Sequence, residues 1–178
     1  MRSDLIWFSL PALAATALPA HAVQYFTLEQ AQHALFPEAS DFKDTRVLLS
    51  AEQRRAIEQA SKVRVRGAQL AAWRVEAGGK LAGWFLLDEV YGKHEFITYA
   101  VALDAGGAVR GIEILDYRET HGGEVRNPKW RAQFSGKRAG APLELDEDIK
   151  NISGATLSCK HLADGVRRLL ASYEAVLK

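Results

Sequence analysis

The sequence predicts an α+β fold in which helices pack against an antiparallel β-sheet. Four consecutive segments are rich in β-branched and aromatic residues: 63–75, 81–91, 96–103 and 109–117. Short glycine-containing turns separate them, whereas parallel strands need crossovers of about a dozen residues or more. The flanking segments instead repeat apolar residues at helical spacing. These observations together predict an antiparallel meander with flanking helices in one domain.

Alternation within the third segment predicts which face of the sheet is more apolar. The side chains of a strand point to opposite faces in turn. One set is Ile97, Tyr99, Val101 and Leu103, and the other is Phe96, Thr98, Ala100 and Ala102. The first set is decidedly more apolar, so one face of the sheet is predicted to be the more apolar of the two.

Three shorter helices are predicted from their ends. The segment 27–35 begins with threonine, a favoured N-cap residue. The segment 50–60 begins with the Ser-x-x-Gln spacing of a capping box. A third, short helix is predicted over 127–134, with Trp130 and Phe134 on one side.

The N-terminal 22 residues have the pattern of an export signal. Arg2 precedes an apolar run over 5–18, and Ala20-His21-Ala22 has the small-x-small form of a signal-peptidase site. We expect an exported protein, periplasmic or in the cell envelope, whose mature form begins near Val23. A weakly basic start and a proline within the run leave an uncleaved membrane anchor as the alternative.

Length and composition indicate one folded domain behind this leader. The chain has 178 residues, with 23 basic and 22 acidic side chains, so nothing favours a nucleic-acid partner. We divide it into a signal peptide (1–22), a helical N-terminal region packed on the domain (23–62) and the domain itself (63–178). A single cysteine excludes an internal disulfide, and no metal-ligand spacing is present.

A small, hydroxyl-rich loop directly precedes the predicted C-terminal helix. Residues 151–158 read Asn-Ile-Ser-Gly-Ala-Thr-Leu-Ser, and apolar residues then recur at mostly three- and four-residue intervals. A helix N-terminus presents unpaired N–H groups and the positive end of the helix dipole to an anion. Lys160 and His161 oppose that dipole, so either a bound anion offsets them or both are solvated. Cys159 is either a reactive thiol or, as we favour, a small residue packed against the core.

A second candidate site follows the last predicted strand. Residues 117–126 read Tyr-Arg-Glu-Thr-His-Gly-Gly-Glu-Val-Arg. Loops at strand ends often carry function, and paired glycines let the backbone approach a flat ligand closely. The alternative is an ordinary glycine-rich turn with solvated charges.

At these residues the chain resembles a known family. Residues 153–158 resemble the Ser/Thr-Gly-Ala-Thr flavinylation motif of the FMN-binding domain. That domain occurs in the covalent-flavin subunits of the sodium-pumping quinone reductase and Rnf-type complexes, and in small exported flavoproteins. Residues 119–124 resemble the family's Glu-Thr/Ser-x-Gly loop beside the flavin. The runs 92–95 and 130–137 are similar to the small exported members, so the likeness extends over roughly residues 80–178.

The resemblance implies FMN bound covalently by a phosphoester to the Thr156 hydroxyl. A flavin transferase with FAD as donor would be a partner of the protein. The retained phosphate charge is expected to meet the N–H groups of Leu157, Ser158 and Cys159, with Ser153 as a candidate N-cap. The further residues expected to hold the cofactor are Ser153, Gly154, Ala155, Leu157, Ser158, Glu119, Thr120, Gly122, Gly123, His94 and Tyr117.

The chain departs from the family pattern at two places. Lys150 stands where members often carry an acidic residue, and nearby Asp148 is a candidate substitute. The Gly122-Gly123 pair differs from the usual continuation in complex-bound subunits, which favours a small stand-alone relative.

The expected function is electron transfer in the cell envelope, as a carrier rather than a stand-alone catalyst. Its expected partners are membrane or periplasmic redox proteins. Two alternatives remain: a non-redox exported interaction module whose motif merely caps a helix, and reversible, non-covalent FMN binding.

Overall fold

The computed structural model describes residues 25–178. The predicted leader and its cleavage site lie outside the described residues. In chain order the helices and strands are α1 (Leu28–Leu35), β1 (Asp41–Asp44), β2 (Val47–Leu48), α2 (Ala51–Ser61), β3 (Gln69–Ala77), β4 (Lys80–Tyr91), β5 (Phe96–Asp104), β6 (Val109–Tyr117), α3 (Pro128–Arg131) and α4 (Thr156–Val176). Two 3₁₀ turns cover Gly123–Arg126 and Ala132–Phe134. Between residues 25 and 178, no helix is both long and apolar enough to cross a bilayer.

The strands form one antiparallel sheet, which confirms the predicted α+β fold. Its order is β1-β3-β4-β5-β6, and β2 pairs with β3 beyond the end of β1. β3 to β6 are sequential neighbours, as a meander requires. The β3–β4 turn has Gly78 and Gly79 at φ +55° and +74° between the paired residues Ala77 and Lys80. Positive φ at both central residues matches the right-handed twist of a two-residue hairpin, and glycine adopts it without strain.

Each face of the sheet carries its own apolar core. The larger core packs α2 and α4 on one face, and it contains the four β5 residues from the predicted apolar set, Ile97, Tyr99, Val101 and Leu103. The opposite face holds a smaller core beneath α1, with Phe36, Phe85, Ala100 and Ala102 among its members. The alternation in β5 therefore predicted the two faces correctly.

The helix ends follow the capping residues that the sequence offered. Thr27 and Ser50 each accept a hydrogen bond from the N–H of the residue three positions on, and both capping boxes are complete. The predicted short helix over 127–134 is present as α3 and the following 3₁₀ turn. There the Trp130 and Phe134 rings pack edge to face at 5.3 Å.

Two features of the N-terminal region differ from the expectation. The sequence predicted only helices over 23–62, but β1 and β2 lie there and add to the sheet by pairing with β3. Both strands are short, and β1 reads Asp-Phe-Lys-Asp, a charged edge that gives no apolar alternation. The strand expected from residue 63 begins instead at Gln69, and residues 63–68 form neither helix nor strand. The Val65 N–H in that segment donates to the Glu58 carboxylate at 2.8 Å rather than to β4.

α4 is held against the sheet by a close approach and an ion pair. Gly165 faces the buried Tyr99 ring so closely that a Cβ would lie 2.2 Å from the Tyr99 hydroxyl oxygen. The same hydroxyl donates to Asp88 on β4 at 2.9 Å, and Arg168 of α4 pairs with that carboxylate. These contacts fix the helix whose first turn carries the candidate site.

Candidate functional site

Three segments that are distant in sequence form one cleft of about 490 Å³. They are the β4–β5 turn, the loop after β6 and the N-terminus of α4. This volume lies in the range typical of small-molecule and cofactor sites. The cleft is lined by Lys93, His94, Glu119, Thr120, His121, Gly154, Ala155, Thr156, Leu157 and Ser158. The two candidate segments of the sequence therefore meet, as a shared site requires.

The loop before α4 is a β-turn that requires its glycine. The Ala155 N–H donates to the Ile152 carbonyl at 3.0 Å, and Gly154 has φ +81°. Glycine takes this left-handed conformation without strain at the third turn position. No atom lies within 4 Å of a Cβ built on Gly154, so its requirement is conformational rather than steric.

The first turn of α4 leaves backbone donors at the cleft. Ala155 is the N-cap residue and offers no side-chain cap. No residue in the described range accepts from the N–H groups of Thr156, Leu157 or Ser158. Two expectations were wrong here. Ser153 is exposed and does not cap the helix, and the Cys159 N–H is not free because it donates to the Ala155 carbonyl at 3.0 Å.

Thr156 places its hydroxyl at the rim of the cleft. The residue is exposed and is the first residue of α4. Its Oγ1 accepts a hydrogen bond from Nδ2 of Asn151 at 3.1 Å. The hydroxyl is thus both accessible from the cleft and held by the protein.

Glu119 organises the cleft wall through its carboxylate. Its Oε1 accepts hydrogen bonds from the N–H groups of Lys93, His94 (2.6 Å) and Glu95 (3.1 Å). A Cβ on Gly92 would lie 2.4 Å from the same oxygen, so a side chain there would displace the Glu119 carboxylate. Burial acts to raise the pKa of Glu119, but the three backbone donors outweigh it and lower that pKa below its usual range. Glu119 therefore lines the cleft mainly as a clamp on the β4–β5 turn.

Acidification is expected to release this clamp. Because the pKa of Glu119 is lowered in the folded protein, its stabilisation is present above the ordinary glutamate value of about 4.3 and is lost as the pH falls through the lowered value. Amide hydrogen exchange, corrected for intrinsic rates, should show the N–H groups of residues 93–95 losing protection below about pH 4. Glu119→Gln should lack this pH step. Unchanged protection of the wild-type turn across that range would contradict the clamp.

Tyr117 and Gly122 support the cleft from behind rather than lining it. The Tyr117 hydroxyl donates to the His121 carbonyl, and its oxygen lies 3.3 Å from Oγ of Ser158. Burial raises the pKa of Tyr117, which keeps the phenol protonated as a donor. Gly122 has φ +88°, and a Cβ there would lie 2.2 Å from Cβ of Ala155. This contact joins the loop after β6 directly to the turn before α4.

Several charged and thiol candidates have other partners. Lys160 pairs with Asp164 at 2.7 Å, and the His161 ring contacts the Tyr91 carbonyl, so both side chains have partners within the protein. Cys159 is fully buried and burial raises its pKa, which agrees with the packed rather than the reactive thiol. Asp148 bonds to Lys137 and to the Glu144 N–H, both at 2.7 Å, and does not line the cleft in place of an acid at Lys150.

The structure brings together most of the residues expected at the site. Those at the cleft surface are His94, Glu119, Thr120, Gly154, Ala155, Thr156, Leu157 and Ser158, whereas Ser153, Tyr117, Gly122 and Gly123 are not. The cleft also includes Lys93 and His121, which were not among the expected cofactor contacts. Both lie inside segments that the sequence analysis had singled out, but nothing in the pattern distinguished them from their neighbours.

The fold and the cleft together indicate a class of protein. Unpaired N–H groups at a helix N-terminus that opens into a cleft of this size are features of a domain that binds a phosphorylated ligand. Residues 92–171 match the family model of the FMN-binding domain.

The chain is also similar to curated relatives and to a solved structure. Over 69 residues the chain is 39% identical to the C subunit of the Na(+)-translocating NADH-quinone reductase of Vibrio vulnificus, an alignment covering 30% of this chain and 27% of that protein. The same protein of Pasteurella multocida is 40% identical over 68 residues, covering 30% and 26%. The chain thus matches about a quarter of the length of these relatives. The crystal structure of the C subunit from Parabacteroides distasonis has a TM-score of 0.53 at 15% identity, covering 77% of this chain and 79% of that one, which shows a shared fold.

Proposed function

We propose that the protein is an exported flavoprotein that carries FMN covalently on Thr156 and transfers electrons in the cell envelope. The observation that carries the proposal is the exposed Thr156 hydroxyl at the rim of the cleft, next to three N–H groups that have no acceptor between residues 25 and 178. The match of residues 92–171 to the FMN-binding domain identifies the cofactor that such a cleft would hold.

The residues present suit an FMN phosphate and ring. The N–H groups of Thr156, Leu157 and Ser158 point from a helix N-terminus, where the dipole favours a phosphate anion. Leu157 is 45% exposed, which gives the cleft an apolar surface for a flat ring. The turn held by Glu119 forms the opposite wall, with Lys93 and His94 at the surface.

Attachment would be a phosphoryl transfer to the threonine hydroxyl. Oγ1 of Thr156 forms a bond to the FMN phosphorus of FAD as the anhydride P–O bond breaks. AMP leaves with the electron pair of that bond, and the hydroxyl releases its proton. A separate flavin transferase would supply the catalytic groups, and this chain supplies a rigid, accessible acceptor.

A covalent bond suits a carrier outside the cytoplasm. A helix N-terminus contributes only about 1 kcal/mol to anion binding, which is too little to retain FMN where free flavin is scarce. A tether instead keeps the cofactor at an effective concentration of about the millimolar range. The bound flavin would supply one- and two-electron transfer, while the protein controls access. Membrane or periplasmic redox proteins are the partners we propose.

The intact mass of the protein under denaturing conditions tests the proposal. Co-expression with a flavin transferase is expected to add the mass of FMN minus one water, on the peptide that contains Thr156. Expression without the transferase is the control and should give the unmodified mass. No added mass, with the transferase active on a known acceptor, would contradict covalent attachment. Flavin that copurifies but is released by denaturation would instead establish reversible binding.

A further inference from the structure

The loop before α4 contains a buried polar atom that local structure does not explain. Oδ1 of Asn151 is buried, and none of the residues from 25 to 178 donates a hydrogen bond to it. A buried, unsatisfied amide oxygen costs stability, so its retention calls for another reason. The same amide makes one side-chain contact, between its Nδ2 and Oγ1 of Thr156 at 3.1 Å.

The backbone beside Asn151 is fixed from both directions. The Lys150 N–H donates to Oε1 of Gln133 at 2.7 Å. The Lys150 carbonyl accepts from the Trp130 indole N–H, also at 2.7 Å. On the other side, the turn from Ile152 to Ala155 is closed by its own hydrogen bond. The backbone that carries the Asn151 side chain is therefore rigid. A residue that positions another side chain requires such a rigid backbone.

We propose that Asn151 is a positioning residue that holds the Thr156 hydroxyl for flavin transfer, an inference that rests on the proposed function. Thr156 is exposed and lacks any other side-chain partner among the described residues. Without Asn151 its Oγ1 is free to leave the cleft rim by rotation about χ1.

The amide can hold Oγ1 in either of its two orientations. With Nδ2 toward Thr156, it donates to Oγ1 and leaves the hydroxyl proton directed elsewhere. After a half-turn of the amide, Oδ1 faces Thr156 and accepts a hydrogen bond from its hydroxyl, because threonine both donates and accepts. The amide does not take up the proton, so a base of the transferase must receive it. Asn151 then acts on the orientation of the nucleophile and not on its ionisation.

Flavin transfer to purified, unmodified protein tests this role. Wild type and Asn151→Ala are incubated with FAD and a flavin transferase at increasing acceptor concentration, and the modified fraction is followed by intact mass. Asn151→Ala should lower kcat by between about tenfold and a hundredfold, the usual effect of a misplaced reacting group, with KM changed less than about twofold. Asn151→Ser, whose hydroxyl is too short to reach Oγ1, should behave like the alanine variant and serves if that variant folds poorly.

Gln133→Ala is the matched structural control. It removes the acceptor of the Lys150 N–H, and so loosens the same loop without touching the Thr156 hydroxyl. A kcat loss confined to the Asn151 variants supports positioning. Wild-type kcat in those variants, a loss expressed only in KM, or an equal kcat loss in Gln133→Ala would overturn it. Failure of wild type itself to be modified would instead contradict the proposed function and this inference together.

Discussion

Thr156→Ala is expected to abolish covalent loading completely while the fold is retained. The variant removes the hydroxyl that would attack FAD, but Thr156 is exposed and starts a helix, where alanine is well tolerated. Its free energy of unfolding should change by no more than about 0.5 kcal/mol. Intact mass after co-expression with the transferase, together with urea unfolding, measures both effects.

Thr156→Ser is the matched control for this experiment. It keeps a hydroxyl at the same position and should retain part of the loading, although without the methyl group its rotamer is less restricted. If the motif were only a helix cap, Thr156→Ala would instead cost about 0.5–2 kcal/mol, with no change in bound flavin. The structure argues against that alternative, because the N-cap residue is Ala155 and no side chain caps the helix.

Gly122→Ala is expected to damage both stability and loading. Its Cβ would lie 2.2 Å from Cβ of Ala155 and 2.6 Å from the Tyr117 hydroxyl oxygen, and φ is +88°. A left-handed residue with a side chain costs about 1–2 kcal/mol, and overpacking adds about 1–3 kcal/mol. We therefore expect a loss of about 2–5 kcal/mol in urea unfolding. Loading should also fall, because Ala155 directly precedes the acceptor Thr156.

Gly123→Ala is the control for Gly122→Ala. It alters the same loop without affecting the contact between Gly122 and Ala155. The nearest atom to a Cβ on Gly123 is Nη2 of Arg126 at 3.6 Å, an ordinary contact, and its φ is not left-handed. This variant should unfold within about 0.5 kcal/mol of wild type and load normally. Equal behaviour of the two glycine variants would contradict a specific role for the Gly122–Ala155 contact.

The fold was predictable where the physical signal is local and repeated. Alternation in β5 identified both faces of the sheet, and the capping boxes located α1 and α2. β1 and β2 were missed because a four-residue charged strand and a two-residue strand are too short to show a period. Residues 63–68 were assigned to a strand from composition, but the Val65 N–H bonds to the Glu58 side chain on α2, a tertiary contact that composition does not indicate.

The site was predictable as two segments but not as a network of bonds. The sequence indicated Thr156 and the loop around Glu119, and the structure places both at one cleft. The clamp of Glu119 on the N–H groups of residues 93–95 and the bond from Asn151 to Thr156 depend on how distant segments meet. Cys159 was wrongly expected to offer a free N–H, because the helix begins at Thr156 and the Cys159 N–H already bonds to the Ala155 carbonyl.

The Gly122–Ala155 contact forms late, because the two residues come from segments that are synthesised far apart along the chain. The β4–β5 turn and the loop after β6 are synthesised before residue 154, but the cleft is complete only when the first turn of α4 packs beside them. α4 itself can settle only when its buried residues, from Leu162 to Tyr173, are present to cover the sheet. The acceptor hydroxyl is therefore presented last, by a domain that has already finished folding. A transferase that recognises this cleft would therefore modify only the folded domain. Covalent flavin would then mark the correctly folded molecules.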